Sequence, residues 1–393
     1  MRRVVITGLG AISPFGIGVK AYWEGVRTGA CAIRPLALIE TEGFRSRIGA
    51  EVPGPLPGSR RRSRADRMAL AAAREAVDDA GLGSHERRDA ALVVGAVGGG
   101  MLEAEAWYWQ AWRSEQCSRP PRGALRAVLP YSHADVVGFG LGLGGPRETI
   151  VTACSSGAAA VAVAADLITD GVTPVALAGG SDALTRICYM GFNALRLLDV
   201  GPCRPFDRNR RGMSIGEGAA FLVLEDAEHA RARGARVYAE LAGAGMATDA
   251  FHITSPHPAG EGMVRAIQAA LAQGRVEAQA VGYCNAHGTG TVQNDRIEAL
   301  ALRTVFGEGR LLVSSTKSMI GHTMAAAGAL EAAATVLALA HEVVPPTANL
   351  ETPDPEVPFD CLPGTCRELA LEHAISNSFG FGGQNVTLLF RRT

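Results

Sequence analysis

Short apolar runs closed by glycine alternate along this chain with alanine-rich segments. Arg3-Val-Val-Ile-Thr-Gly8-Leu-Gly10 predicts a buried strand ending in a glycine turn, and Ala90-Ala-Leu-Val-Val-Gly95 predicts a second. Thr149-Ile-Val-Thr, Pro174-Val-Ala-Leu-Ala-Gly-Gly180 and Gly216-Glu-Gly-Ala-Ala-Phe-Leu-Val-Leu224 predict three more. Ala-rich stretches up to Gly81 and from Ala158 to Ile168 have strong helix propensity. Beyond residue 236 the order returns. The run at 237–245 echoes the first strand with its own Gly-x-Gly, and 281–290 echoes the second. The run at 311–317, then Gly321-His322 and an Ala-rich helix to Ala340, echoes the third strand and its helix. Residues 374–383 and 386–390 echo the last two strands. This pattern predicts a duplicated α/β architecture, each half a mixed sheet covered by helices. The charged, Arg-rich stretch 226–236 is the expected boundary, dividing the chain into halves of 1–230 and 231–393.

Composition narrows the function classes. At 393 residues and 47% hydrophobic content the chain can bury one large or two medium cores. A net charge of -1, from 38 basic and 39 acidic residues, leaves no global footprint for nucleic acid or an anionic membrane. The opening Met1-Arg-Arg leads straight into a strand pattern rather than a secretory signal, and no uncharged apolar run reaches the roughly 18 to 20 residues of a bilayer span. The eight cysteines, Cys117 among them, form no framework, so a reducing cytoplasm is the expected compartment. Cys361 and Cys366 lack a second pair with zinc spacing, and no metal is expected. Among the 38 basic residues only Lys20 and Lys317 are lysine. A chain drifted this far toward arginine keeps lysine where a guanidinium would not serve, which singles out Lys317.

Four islands carry potential chemistry. In Thr149-Ile-Val-Thr-Ala-Cys154-Ser-Ser-Gly157 a strand gives way to a helix through small residues. That places a thiol at a strand-to-helix corner, open to approach, where a helix N-terminus is expected to lower its pKa below the free value of about 8.5. His287 lies in Asn285-Ala-His-Gly-Thr-Gly-Thr291, and Lys317 and His322 lie in Ser315-Thr-Lys-Ser-Met-Ile-Gly-His322. The glycine-rich Gly380-Phe-Gly-Gly383 closes the set. The early Gly8-Leu-Gly10 is not a dinucleotide fingerprint, because Ser13 stands where the third glycine belongs and no acidic ribose ligand follows at the usual spacing.

Together, in this order, the islands resemble those of the β-ketoacyl–acyl-carrier-protein synthases of the thiolase superfamily. The likeness runs from Val-Ile-Thr-Gly-Leu-Gly to Asn377-Ser-Phe-Gly-Phe-Gly-Gly383 and is greatest to elongating condensing enzymes of type II fatty-acid and polyketide systems. It implies a thiolase-like fold of duplicated αβαβα layered halves with mixed five-stranded sheets. It implies Cys154 as nucleophile, His287 and His322 as the paired histidines, Lys317 as their companion and Glu331 as the acid beside that lysine. Phe381 becomes the gating residue whose backbone N–H joins that of Cys154 in an oxyanion hole, and Asp295 a structural position.

The activity implied is decarboxylative condensation of a Cys-bound acyl chain with malonyl-acyl-carrier protein, with no bound cofactor and with substrates carried on the carrier's phosphopantetheine. Thr254, Thr289 and Thr291 would position that arm. Arg62, Arg64, Arg67 and Arg204 would meet the acidic carrier protein. The resemblance also implies a homodimer, or a heterodimer with a chain-length-factor-like subunit. Such subunits are themselves the alternative reading, but they usually lack the cysteine. A degradative thiolase would carry a second catalytic cysteine where this chain has Asn377-Ser-Phe-Gly, and initiating enzymes use Cys–His–Asn. Gln384 departs from the small or β-branched residue usual after the terminal Gly-Gly pair. Trp107, Trp109 and Trp112 fall in the segment that in relatives borders the acyl pocket and the dimer interface, where they pack as interface core or shape the pocket for a flat polyene chain.

Overall fold

The strand from Val4 to Ser13 is buried at all of its positions and forms the seam of the molecule. The computed structural model describes residues 2–114 and 122–393, so Cys117 lies outside the described residues. Its main strands are β1 (Val4–Ser13), β2 (Ala91–Gly95), β3 (Arg147–Ile150), β4 (Val175–Asp182) and β5 (Gly218–Asp226) in the first half. The second half has β6 (Ala239–Thr248), β7 (Val281–Asn285), β8 (Leu312–Ser314), β9 (His373–Gly380) and β10 (Gln384–Arg391). The helices that matter here are α1 (Arg64–Asp79), α2 (Met101–Arg113), α3 (Ser132–Leu141), α4 (Ser156–Thr169), α5 (Arg186–Ala194), α6 (Glu261–Gly274), α7 (Val292–Phe306) and α8 (Ala327–His341).

The sheet order is β3-β2-β4-β5-β1 in the first half and β8-β7-β9-β10-β6 in the second, so each strand of one half has its counterpart at the same place in the other. In both halves the second strand of this order, β2 or β7, runs parallel to its two neighbours, and the last two strands run antiparallel to theirs. This is the mixed five-stranded pattern that the resemblance implied. The halves are not separate sheets, however. β1 and β6 pair antiparallel through Val4↔Leu241, Val5↔Glu240 and Ile6↔Ala239, so the strand path continues from one half into the other.

Helices α1 and α3 cover the outer face of the first sheet, α6 and α7 that of the second, and α4 and α8 fill the layer between them. The Ala-rich composition of α4 and α8 follows from this place, since a helix covered on all sides by two sheets and a partner helix has room only for small side chains. Among the described residues, Met324–His341 is the one helical stretch long and apolar enough to cross a bilayer by length and composition, and 89% of it is buried in this central layer.

The two Gly-x-Gly echoes acquire a cause. β1 does not end in a glycine turn at Gly10 but continues to Ser13. A Cβ at Gly8 or Gly10 would lie 2.2 or 1.9 Å from the carbonyl oxygens of Ala76 or Ala72 in α1. At Gly243 and Gly245 it would lie 2.2 and 2.0 Å from those of Ala270 and Ala266 in α6. The glycines are where an outer helix backbone rests directly on the seam strands.

Candidate active site

The chain leaves β3 and turns at Ala153, whose φ of 52° lies in the left-handed region that alanine rarely occupies. A single 3₁₀ turn, Ala153–Ser155, leads into α4. Side chains hold the corner. Ser155 Oγ donates to Thr152 O at 2.8 Å, Ser156 Oγ donates to Ala153 O at 2.7 Å, and Thr152 N–H donates to Ser156 Oγ at 2.9 Å. Cys154 sits on this corner, 7% exposed, with the backbone N–H groups of Phe381 and of Cys154 itself turned to its sulfur. Gly380 makes room for that approach: a Cβ there would lie 2.9 Å from Thr152 O and 3.3 Å from Cys154 N.

The expected depression of the thiol pKa is not what the surroundings produce. Burial pushes Cys154 up to about 11, and the Phe381 N–H and the Lys317 charge recover only part of that. A helix terminus is a local advantage, and here the loss of water outweighs it. At rest Cys154 is a neutral thiol.

His287 follows β7, and its loop hangs on a carboxylate that the sequence did not single out. Its backbone N–H and that of Gly288 each donate to Glu298 on α7, both at 2.8 Å. Lys317 Nζ, 1% exposed, lies 3.2 Å from His287 Nδ1 and is paired with Glu331 at the start of α8. The ammonium has only donors, so His287 Nδ1 accepts and the ring proton sits on Nε2. His322 reaches the same tautomer by a different route: Met324 N–H donates to its Nδ1 at 3.1 Å, and its buried Nε2 has no partner among the described residues. The two rings stand 5.5 Å apart at 85°. Burial first, then the Lys317 charge, holds both imidazoles well below their ordinary pKa. Burial raises Glu331 to about 7, against the pull of Lys317.

Cys154, His287, His322 and Phe381 line one cavity of about 270 Å³, together with Thr254, Thr289 and Thr291. Asp295 stands apart from it. Its carboxylate accepts from Phe206 N–H at 2.9 Å and Gly290 N–H at 3.2 Å, strapping two loops together. Gln384 turns aside to Thr248, whose hydroxyl lies 3.3 Å from it.

The four arginines expected to dock a carrier do not form one patch. Arg64 is a correction: its guanidinium folds inward, 16% exposed, donating at 2.8 and 2.6 Å to the buried carboxylate of Glu217 and at 2.9 Å to Val52 O. It is not free to meet an external acid. Arg67 is bound to the carbonyls of Leu56 and Pro57, Arg204 stands 3.8 Å from Glu351, and Arg62 is exposed. Two other arginines, Arg196 and Arg211, line the cavity of Cys154. Nothing local in Ala194-Leu-Arg-Leu-Leu or Arg210-Arg-Gly marks them, because only the folded loops bring them there.

The tryptophans do not line that cavity. Trp109 packs edge-on against Trp112 at 5.6 Å, lies under the Arg186 guanidinium at 5.1 Å and borders a separate cavity of about 540 Å³.

With this geometry in place, comparison with known proteins is decisive. Residues 1–230 match the β-ketoacyl synthase N-terminal domain, and residues 238–351 match the β-ketoacyl synthase C-terminal domain. The chain belongs to the β-ketoacyl synthase family.

The chain is 42% identical to a Streptomyces cyaneus protein named as a polyketide β-ketoacyl synthase, across 99% of this chain and 98% of that one. It is 38% identical to the 3-oxoacyl-[acyl-carrier-protein] synthase 2 of Synechocystis, across 100% and 98%. The solved structure of the ishigamide ketosynthase/chain length factor superposes with a TM-score of 0.96 at 36% identity, across 100% of this chain and 99% of that one. As a β-ketoacyl synthase the chain is an acyltransferase with a thiolase-like fold, and its reaction is a ketosynthase condensation of fatty-acid or type II polyketide synthesis.

Proposed function

We propose that Cys154, His287 and His322 carry out a decarboxylative Claisen condensation in a type II polyketide pathway. The observation that carries this reading is the pair of imidazoles, each protonated at Nε2, sharing one cavity with the thiol. In the first step Cys154 sulfur attacks an acyl thioester on a carrier protein. The C–S bond to the carrier breaks, the thiol proton passes to the departing thiolate, and the acyl chain remains on Cys154. The N–H groups of Cys154 and Phe381 hold the tetrahedral oxyanion, each such donor contributing about 10²- to 10³-fold in rate.

Malonyl carrier follows, its phosphopantetheine passing Thr254, Thr289 and Thr291. Its carboxylate leaves as CO₂, and the electron pair forms an enolate whose oxygen accepts from the Nε2–H groups of His287 and His322. The α-carbon attacks the acyl-Cys154 carbonyl, a C–C bond forms, and the sulfur leaves as a thiolate that takes a proton from water. Neutral imidazoles suit this role, because they donate to the enolate without surrendering a proton to it. Lys317 keeps His287 in the donor tautomer rather than acting as a base.

Arg196 and Arg211 at the cavity and Arg62 outside it supply positive charge for the carrier's phosphate and acidic surface. The polyketide synthase among the relatives supports the polyketide setting, and the ishigamide ketosynthase/chain length factor structure supports a chain-length-factor-like partner. The sheet edge at β3, flanked by Val151 (56% exposed) and Phe139 (77% exposed), is available to that partner or to a second copy. No residue within this constellation calls for a cofactor, and we place the reaction in the cytoplasm.

Cys154→Gln tests the division of labour: it should abolish acyl loading and retain malonyl decarboxylation. Loss of both activities in a folded variant would count against separate roles for the thiol and the histidines.

A further inference from the structure

The duplication extends to the nucleophile's corner. In the second half Met324 has a φ of 55°, matching the 52° of Ala153, and a single 3₁₀ turn, Met324–Ala326, leads into α8 as Ala153–Ser155 leads into α4. Ala325 therefore occupies the place of Cys154, and the two corners meet: a Cβ on Gly157 would lie 2.5 Å from Ala325 O, and one on Gly180 2.4 Å from it. The strands behind the corners correspond as well. β4 and β9 each have eight residues, ending at Asp182 and Gly380 respectively. Gly380 leaves the N–H of Cys154 open to the cavity. Asp182 instead fills the equivalent space with a carboxylate.

That carboxylate is 1% exposed and accepts three backbone N–H groups: Ala325 at 2.8 Å on one oxygen, Gly98 at 2.7 Å and Gly99 at 3.1 Å on the other. It joins the glycine loop that leads into α2 to the corner following His322. On that corner Met324, the neighbour of Ala325, donates the N–H that sets the His322 tautomer.

We propose that Asp182 is a positioning residue for His322: by holding Ala325 N–H it fixes the Met324 amide that keeps the His322 proton on Nε2, facing the enolate. The inference rests on His322 being an enolate donor. An asparagine at this position has one carbonyl oxygen for three N–H donors, so its amide nitrogen must face at least one of them without a bond. The oxygen that serves Gly98 and Gly99 makes two bonds, and the contact given up is the one to Ala325.

The test measures acyl loading of Cys154 in Asp182→Asn and Asp182→Ser, and malonyl-thioester decarboxylation in the same variants combined with Cys154→Gln. Imidazole ¹⁵N spectra report the His322 tautomer. Leu177→Ala, a buried change on the same strand, controls for lost stability. Displacing a donor by about 1 Å is expected to lower the decarboxylation kcat by about 10²-fold, with KM and acyl loading changed by less than about threefold. The His322 nitrogens should show a mixture of tautomers in both Asp182 variants and a single one in Leu177→Ala. Equal losses in both half-reactions, as in Leu177→Ala, would overturn the proposal, as would an unchanged His322 spectrum. His322→Ala separates the two readings: if it decarboxylates at the parental rate, the enolate role of His322 fails, while the spectra still judge whether Asp182 sets the tautomer.

Discussion

Lys317 Nζ lies 3.2 Å from His287 Nδ1 with Glu331 paired behind it, so a buried cation faces the Nδ1 side of the His287 imidazole. Burial, the lysine charge and His322 together hold His287 well below its ordinary pKa. Removing the charge in Lys317→Met takes away one lowering cause, so the His287 pKa must rise. NMR titration should find His287 taking up its proton at a higher pH in the variant than in the parent. An unshifted titration would show that burial alone suffices.

The neutral thiol has its own signature. With Cys154 pushed up to about 11, roughly one thiol in a thousand is ionised at pH 8, and the fraction grows tenfold with each pH unit. Alkylation of Cys154 should therefore rise tenfold per unit from about pH 7 to 9 without levelling. A plateau below pH 8 would mean that the helix terminus and Lys317 outweigh burial after all.

Removal of one of the two proposed enolate donors should be selective. His322→Ala is expected to slow malonyl decarboxylation by about 10²- to 10³-fold while acyl transfer to Cys154 falls much less. Single-turnover measurement of each half-reaction decides this, and equal losses would point to collapse of the cavity instead.

Arg64 and Arg62 should part company. Arg64→Ala strands the Glu217 carboxylate in the interior, a loss of about 3 to 5 kcal/mol in stability by denaturant unfolding. Arg62→Glu should leave stability unchanged and raise KM for carrier-bound substrate. If Arg64→Ala raises that KM with no loss of stability, the buried pair has been misjudged.

The duplication was legible because each half repeats the same strand and helix order, and the sheet order then places 3–10 beside 237–245 and the Cys154 unit opposite the Lys317 unit. Cys154, His287, Lys317 and His322 were legible because rare residue types stood inside glycine- and serine-rich islands. Glu298 and Asp182 were not. Each is one acid among 39, and its role depends on backbone N–H groups that only the fold brings to it. Arg64 misled for the same reason: within a run of arginines it looks solvated, and its partner Glu217 lies 153 positions away. The thiol pKa misled because a helix terminus can be read locally and burial cannot.

The most direct measurement is the mass of the Cys154 peptide after incubation with acyl-carrier proteins of varied chain, followed by addition of malonyl carrier. An acyl adduct on Cys154 should form, then disappear as a 3-oxoacyl carrier two carbons longer appears with CO₂. No adduct on Cys154 with any donor, with or without a partner subunit, would contradict its assignment as the condensing nucleophile.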